Sequence, residues 1–489
     1  MPGSFVLRED ASTQEFDGGT VLLGGSPLRL FRISERARRL VARWQAGAPV
    51  GSGRGAQLLA RRLVSSGAFI PRPGDGKGHG DSDGDLGPRD VTVIVPVRDR
   101  PAQLDRVLGA LRGLDCIVVD DASADAGATK EIAERHGARF VGLTVNVGPA
   151  GARNAGLAGV HSAVVAFVDS DCVPRDGWLG LLLGHFDDPL VAAVAPRIVQ
   201  VPGRRAGGRP AVVPRSSLDR GARAGPVRPG SRIPFVPSAA LLVRVDAASG
   251  SDLFDATMRG GEDVDLVWRL AEAGWDVRYE PASTVAHEGP ATLRSFLGRR
   301  AFYGTTAAPL SRRHGDALAP VHLSGWSLAV WGLMLGRRPV AALAALAVSV
   351  VILARRLRGL VRDPVAVAAH IAGGGTARAA LPALVSLVRA WSPALVLGLA
   401  FRRTRRASAF ALLLPALADG GVADRSGTDP VRATALHVAD DVAYGVGVWV
   451  GCARERTFVP LIPRVSWRSR VWSSPALRHE LRPAPGDPG

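Results

Sequence analysis

Lysine is nearly absent from this chain. Lys77 and Lys130 are the only two among 61 basic residues, so arginine carries the net charge of +17. A basic surface of this kind suits nucleic acid, phosphorylated ligands or an anionic membrane face, and charge alone does not choose between them. Cysteine is scarce as well: Cys116, Cys172 and Cys452 show neither a CxxC pair nor metal-ligand spacing. A cysteine-based metal cluster is thereby excluded, and the three are expected to be small buried hydrophobes in a reducing compartment. The opening "MPGSFVLRED" lacks the basic-then-apolar profile of a signal peptide, which places the N-terminal part in the cytosol. Long apolar runs are missing too, since each candidate falls short of roughly 20 residues or is interrupted. What is present is a chain of 489 residues, 47% hydrophobic and 21% charged, enough for two or three domains with ample cores.

Three regions emerge. Residues 1–72 contain a hairpin, "VLLGGSPLRLFRI", turning near Gly24-Gly25. Two amphipathic helices follow: "SERARRLVARWQAG", capped by Ser34, and "GAQLLARRLVSSG", closed by Gly67. The Gly-, Asp- and Pro-rich stretch 73–89 reads as a linker. Across residues 90–310 the short runs "VTVIVPV", "DCIVVDD", "ARFVGLT" and "AVVAFVD" alternate with helix-length segments, which predicts a mostly parallel sheet covered on both faces. Residues 311–489 are apolar and helical, broken by arginine clusters such as Arg337-Arg338. They fit two tilted spans with interfacial helices on a cytoplasmic membrane face, or the buried helices of a soluble domain.

In open α/β sheets ligands bind beyond the carboxyl ends of the strands. Polar residues fall there: Arg98-Asp99 after the first strand, Asp120-Asp121 after the second, and Asp169-Ser170-Asp171 after the fourth. In an extended chain residues i and i+2 point the same way, so Asp169 and Asp171 would present paired oxygens to one point. Hard divalent cations take such ligands and bridge them to substrate phosphates. A lone strand-end aspartate would merely cap a turn; three strand ends carrying carboxylates ask for more. The Gly-rich "NVGPAGARNAGLAGV" leads into a helix whose amides, with Arg153, could hold phosphate oxygens. In "RGGEDVDLVWRLAEAGWDV" a helix carries Val264, Val267, Leu270 and Ala271 on one face and ends by Gly274. Its first-turn acids Glu262, Asp263 and Asp265 suit the helix dipole, and Glu262 or Asp263 could instead act as a general base. His287 in "VAHEG" could be a third metal ligand or an ordinary loop histidine.

Taken together, "VTVIVPVRDR", "CIVVDDAS", "NVGPAGARNAGL", "FVDSDCVPRDGWL" and "GGEDVDLVWRL" resemble the family-2 glycosyltransferases of the GT-A fold, in order and spacing, over nearly all of residues 90–310. The resemblance implies that Pro96, Val97, Arg98, Asp99 and Asp121 hold the nucleotide base and ribose. It puts Arg153 near the uracil or diphosphate and makes Asp169 and Asp171 the motif for Mn²⁺ or Mg²⁺, with His287 completing the shell. Asp263 would be the base of an inverting displacement, and Arg299 or Arg300 would contact the diphosphate. A clear QxxRW is lacking, which weakens a processive-synthase reading. The first 72 residues are similar in pattern to PqqD-like winged-helix domains that grip leader peptides, and the same pattern suits a small docking or DNA-binding winged helix. With the apolar C-terminal region, the order of parts resembles the glycosyltransferases of mycofactocin biosynthesis in actinobacteria. That implies glucose transfer from UDP-glucose to a peptide-derived redox cofactor, building a β-linked oligoglucose chain. A second reading keeps the chemistry but takes a cell-wall polysaccharide or polyprenyl-phosphate lipid as acceptor. A membrane-tethered nucleic-acid regulator would leave the acidic motifs without purpose, and nucleic acid is not an expected partner.

Overall fold

The computed structural model describes residues 1–74, 86–201, 216–248, 252–290, 292–418 and 429–467. Most of the expected linker, residues 75–85, lies outside them. In the first 74 residues β1 (Val6–Glu9) pairs with β5 (Phe69–Arg72), and β2 (Gln14–Phe16), β3 (Val21–Gly24) and β4 (Arg29–Arg32) form a second small sheet. The hairpin turns where expected, with Gly24 opposite Arg29. Helix α1 (Glu35–Gln45) begins with Ser34 accepting from the Ala37 amide at 3.2 Å. Helix α2 (Arg54–Ser66) ends on Gly67 at φ 78°, a left-handed cap that glycine adopts without steric cost. Phe5, Leu22, Trp44, Leu63 and Phe69 fill the core between them.

The main sheet takes β6 (Val91–Val97), β7 (Asp115–Asp120), β8 (Arg139–Gly142), β9 (Val164–Val168), β10 (Cys172–Pro174), β11 (Val191–Val201), β12 (Gly225–Pro226), β13 (Ala240–Arg244) and β14 (Asp276–Glu288). Across β8-β7-β6-β9 the pairing is parallel, as the β-branched runs predict. Beyond β9 it becomes mixed. β13 is antiparallel to both β9 and β11, β11 runs parallel to β14, and β10 and β12 are antiparallel to β14. Helices α3 (Pro101–Ala110), α4 (Ala126–Arg135), α5 (Gly148–Leu157), α6 (Trp178–Leu183) and α7 (Glu262–Glu272) cover the faces. The period-2 alternation of strands explains two separate cores: Val91, Val93, Val164 and Ala166 pack with Leu104 and Leu182 on one side. Ile94, Val165 and Phe167 pack with Leu266 and Val267 on the other. All three cysteines are buried and free, as their apolar neighbours predict.

Helices α8 (Leu293–Thr305) and α9 (Ala307–His314) lead to a short parallel pair, β15 (His322–Ser324) with β16 (Arg464–Ser466). Between these lie α10 (Gly325–Leu335), α11 (Pro339–Leu357), α12 (Pro364–Gly398), α13 (Arg405–Ala418) and α14 (Pro430–Glu455). Gly304 and Gly447 let α8 and α14 touch backbone to backbone, where any side chain would collide. The N-terminal module is tied to the sheet by ion pairs. Arg61 meets Asp188 at 2.6 Å and Asp276 at 3.2 Å, and Arg232 meets Asp10 at 2.8 Å.

Candidate active site

A cavity of about 2150 Å³ opens beyond the carboxyl ends of β6, β7 and β9. Pro96, Val97, Arg98, Asp121, Arg153, Asp169, Asp171, Asp263, His287, Arg299 and Arg300 all line it, so chain positions more than 200 apart meet at one place. Asp99 is not among the lining residues. It sits at φ 53°, its carboxylate accepts from the Ala124 amide at 2.8 Å, and its own amide donates to Ser123. The loop after β6 thus spends this aspartate on holding the loop after β7. Asp121 is buried, with its two oxygens accepting from the Val147 and Gly148 amides at 2.7 and 3.0 Å. A carboxylate at the first turn of α5 is favoured by orphan amides and the helix dipole. Those are the amides that the Gly-rich stretch was expected to offer to phosphate.

Arg153 projects from α5 into the sheet edge and is buried. Its guanidinium donates to Asp169 at 2.7 Å and to Glu262 at 3.0 Å, and lies 5.3 Å from the Phe254 ring centre. The neighbouring carboxylates outweigh burial and hold its pKa above the ordinary value. This arginine joins the acidic turn to the first turn of α7. Asp263, next to that pair, is half-buried, and its carboxylate accepts from the Val264 amide at 2.8 Å. Burial, then the nearby Glu262 carboxylate, push its pKa up to about 7. A carboxyl poised there can take a proton at neutral pH. Asp265 faces elsewhere: it is buried against Arg269 at 2.8 Å and His314 at 3.0 Å.

The expected pairing of Asp169 with Asp171 needs correction. The chain is not extended there but turns, with the Cys172 amide donating to the Asp169 carbonyl at 2.9 Å. Asp169 therefore goes to Arg153, while Asp171 goes to Arg100 at 2.5 Å and to His287 Nε2 at 3.8 Å. Among the described residues no three His, Cys, Asp or Glu side chains converge as a ligand set. His287 comes to Asp171 because β10 pairs with β14, which sets Cys172 opposite His287. Its ring is buried, its Nδ1 has no hydrogen-bond partner, and burial lowers its pKa, which keeps the imidazole neutral. A carboxylate and a neutral imidazole facing one cavity are a donor pair that suits a divalent cation. Arg100 was not foreseen, although it directly follows Arg98-Asp99.

The cavity continues from the sheet edge to the C-terminal helices. Arg300 also needs correction. It is buried and forked onto Asp440 of α14, at 2.9 Å from Nη2 to Oδ2, so it is not free for a diphosphate. Arg299 remains at the lining, close enough to depress His287. Arg389 of α12 stacks over Tyr444 at 4.1 Å and lies 3.6 Å from Asp441, whose Oδ2 is buried without a hydrogen bond. Arg220 stacks over Phe235 at 4.3 Å, and burial brings its pKa down to about 10. Nothing local in the sequence marks these residues. Helices distant in the chain bring them together.

The Glycosyl transferase family 2 model matches residues 92–248, which carry β6 to β13 and the acidic turn. The pre-mycofactocin glycosyltransferases of two Mycobacterium tuberculosis strains, CDC 1551 and H37Rv, are 40% identical over 487 residues, covering 95% of this chain and 98% of theirs. Glycosyltransferase AglE of Haloferax volcanii is 32% identical over 101 residues, 18% of this chain and 33% of its own. Among solved structures, mannosyltransferase PcManGT from Pyrobaculum calidifontis in complex with GDP-Man and Mn²⁺ is similar at 18% identity and a TM-score of 0.39, over 76% of this chain and 91% of that one. The near full-length identity to the mycobacterial proteins settles the assignment: the chain is a glycosyltransferase that belongs to the pre-mycofactocin glycosyltransferase family.

Proposed function

We propose that this enzyme transfers glucose from UDP-glucose to a hydroxyl of the peptide-derived mycofactocin precursor, with inversion, and extends it as a β-linked oligoglucose chain. The observation that carries the reading is Asp263, a carboxyl raised to about 7 on the wall of a cavity shared by the sheet edge and the C-terminal helices. Single ligand sites usually occupy about 300–1,000 Å³. A cavity of about 2150 Å³ leaves room for a donor and an acceptor side by side. Pro96, Val97, Arg98 and Asp121 would receive the nucleoside, with Asp99 bracing their loop. The acceptor would enter from Arg389 and Tyr444 and lie against Arg220 and Phe235. Asp263 takes the proton of the attacking hydroxyl; Arg153 and Glu262 set its position and affinity for that proton. Asp171 and His287 would hold a Mn²⁺ or Mg²⁺ ion, with Asp169 and Arg299 beside them. When bound, such an ion neutralises the charge that develops on the departing diphosphate. Residues 1–72 are assigned as a peptide-gripping module and residues 311–489 as the membrane-facing part, on the cytoplasmic side.

The direct test incubates purified enzyme with a panel of UDP-sugars and reads donor hydrolysis with and without divalent metal. Selective, metal-stimulated hydrolysis of UDP-glucose supports the reading; indifference to UDP-sugars would sink it. A second reading, in which the acceptor is a polyprenyl-phosphate lipid, draws on the apolar surface of α10 to α13. Supplying both acceptors in competition separates the two.

A further inference from the structure

Helices α11 and α12 are long and apolar enough to cross a bilayer, with mean hydropathies of 2.1 and 1.6. How they are tied down argues against a crossing. At its start, α12 rests on the N-terminal module: Val367 and Ala368 pack with Val21, Phe16 and Leu30. Just ahead of it the Arg362 amide donates to Asp17 at 2.9 Å. Further along, the same helix is fastened to the catalytic half. Ser392 donates to the Asp441 carbonyl at 3.0 Å, and Pro382, Val385 and Arg389 line the active-site cavity. From Pro364 to Ser392 runs about 42 Å of helix at about 1.5 Å per residue, against a hydrocarbon core of about 30 Å. A perpendicular crossing would put those anchors in opposite compartments. Both belong to one body, because Arg61 and Arg232 pin the module to the catalytic sheet.

The hairpin of α10 and α11 has the same constraint. α10 leaves the body at Ser327, whose hydroxyl lies 2.9 Å from that of Thr376 on α12. It is 11 residues long, about 16 Å, too short for the turn beyond it to reach across the core. α11 then returns to the module, where Ala354 and Leu357 pack and Arg32 donates to the Gly359 carbonyl at 3.2 Å.

Among the described residues, these helices keep an apolar side without a protein partner. On α11 Val340, Leu343, Val348 and Val351 are 80%, 66%, 47% and 50% exposed, a stripe at helical spacing opposite the buried Ala342 and Ser349. On α13 Phe410, Leu413 and Leu417 repeat the pattern. Exposed arginine pairs flank the stripes: Arg337-Arg338, Arg355-Arg356 and Arg402-Arg403. Apolar stripes between cationic ends suit the boundary between anionic headgroups and acyl chains.

We propose that α10 to α13 form a monotopic shelf that lies in the plane of an anionic bilayer surface, entering one leaflet and crossing none. The inference rests on the membrane-facing assignment above and gives it a topology.

The test adds full-length protein to sealed vesicles of phosphatidylcholine with or without phosphatidylglycerol. Flotation is expected with phosphatidylglycerol, about tenfold weaker without it or in high salt. Two variants that each add one exposed cysteine, Arg337→Cys and Arg358→Cys, mark the turns at either end of α11; the three native cysteines are buried. Both should react with a membrane-impermeant maleimide added outside. Protection of one but not the other means a crossing and overturns the proposal. A fluorophore on Val348→Cys, in mid-α11, supplies a second readout. It should be quenched best by lipids labelled near the headgroup; strongest quenching by a label at the bilayer centre overturns the shelf. Failure to bind any vesicle overturns the membrane-facing assignment itself, a result distinct from either topology outcome.

Discussion

Around Arg153 the charges answer one another inside the sheet edge, whereas along α11 the aliphatic side chains that would fill a core point outward. The first region buries an arginine against two carboxylates, Asp169 and Glu262, with a third, Asp263, left without a cation of its own. The second exposes Val340 and Leu343 and buries Ala342. Arginines, carboxylates and aliphatic side chains recur throughout the chain, so residue type alone marks neither region; placement does. In the first region each buried polar group needs a partner, which makes it rigid and costly to alter; in the second, substitutions should act on what the surface binds rather than on the fold.

The strongest way to probe the comparison is Asp263→Asn. Sugar transfer should fall by about 10²–10⁴-fold, the usual worth of a general base, while UDP binding measured by calorimetry persists. Wild-type turnover would remove Asp263 from the base role. Next comes Arg153→Met, which strands Asp169 and Glu262. Breaking a buried pair by removing one partner costs about 3–5 kcal/mol, and denaturant unfolding should show a loss of that order. If stability is unchanged, the network is not holding the edge together.

A pH series sharpens the same point. Asp263 is a base only when ionised, so kcat/KM should rise with pH through about 7 and level off above it. Its folded pKa lies above the ordinary 3.8, so ionisation opposes folding. The stability it contributes is present below about pH 4 and is lost as pH rises through about 7. Asp263→Asn should flatten that part of a thermal-stability profile. On the other side of the comparison, Leu343→Asp should change unfolding stability by no more than about 0.5 kcal/mol, as expected of an exposed site, while reducing vesicle flotation. A large stability loss would mean that the stripe is covered by protein.

A modest effect is expected at the seam between the module and the sheet. Burial would raise Asp10, but its hydrogen bonds with Arg232 and Ser12 outweigh that and bring it down to about 2. The contribution is present above about pH 4 and fades as pH falls toward 2. Asp10→Asn should cost about 1 kcal/mol or less, since Arg232 is partly exposed, read as a shift in the urea midpoint at neutral pH.

Much of the fold was legible because it follows from local periodicity. The β-branched runs that became β6, β7, β8 and β9, the Ser34 and Gly67 caps, and the amphipathic α7 each depend on neighbours within a few residues. The order of the acidic motifs was legible too, and placed Asp121, Asp169 and Asp263 on one cavity. Other features depend on contacts that no local pattern encodes. Arg300 finds Asp440 across 140 residues, and Arg153 finds Glu262 across 109. The turn at 169–171 separates two carboxylates whose spacing suggested a pair, because backbone hydrogen bonding there overrides strand alternation. Likewise, mean hydropathy marks α11 and α12 as apolar without saying where their ends are held. The strands, the caps and the order of the acidic motifs are written locally, by side chains within a turn or two of one another. Which carboxylate keeps a raised pKa, and which way the apolar helices face, is set by burial and charge pairing with whatever packs alongside.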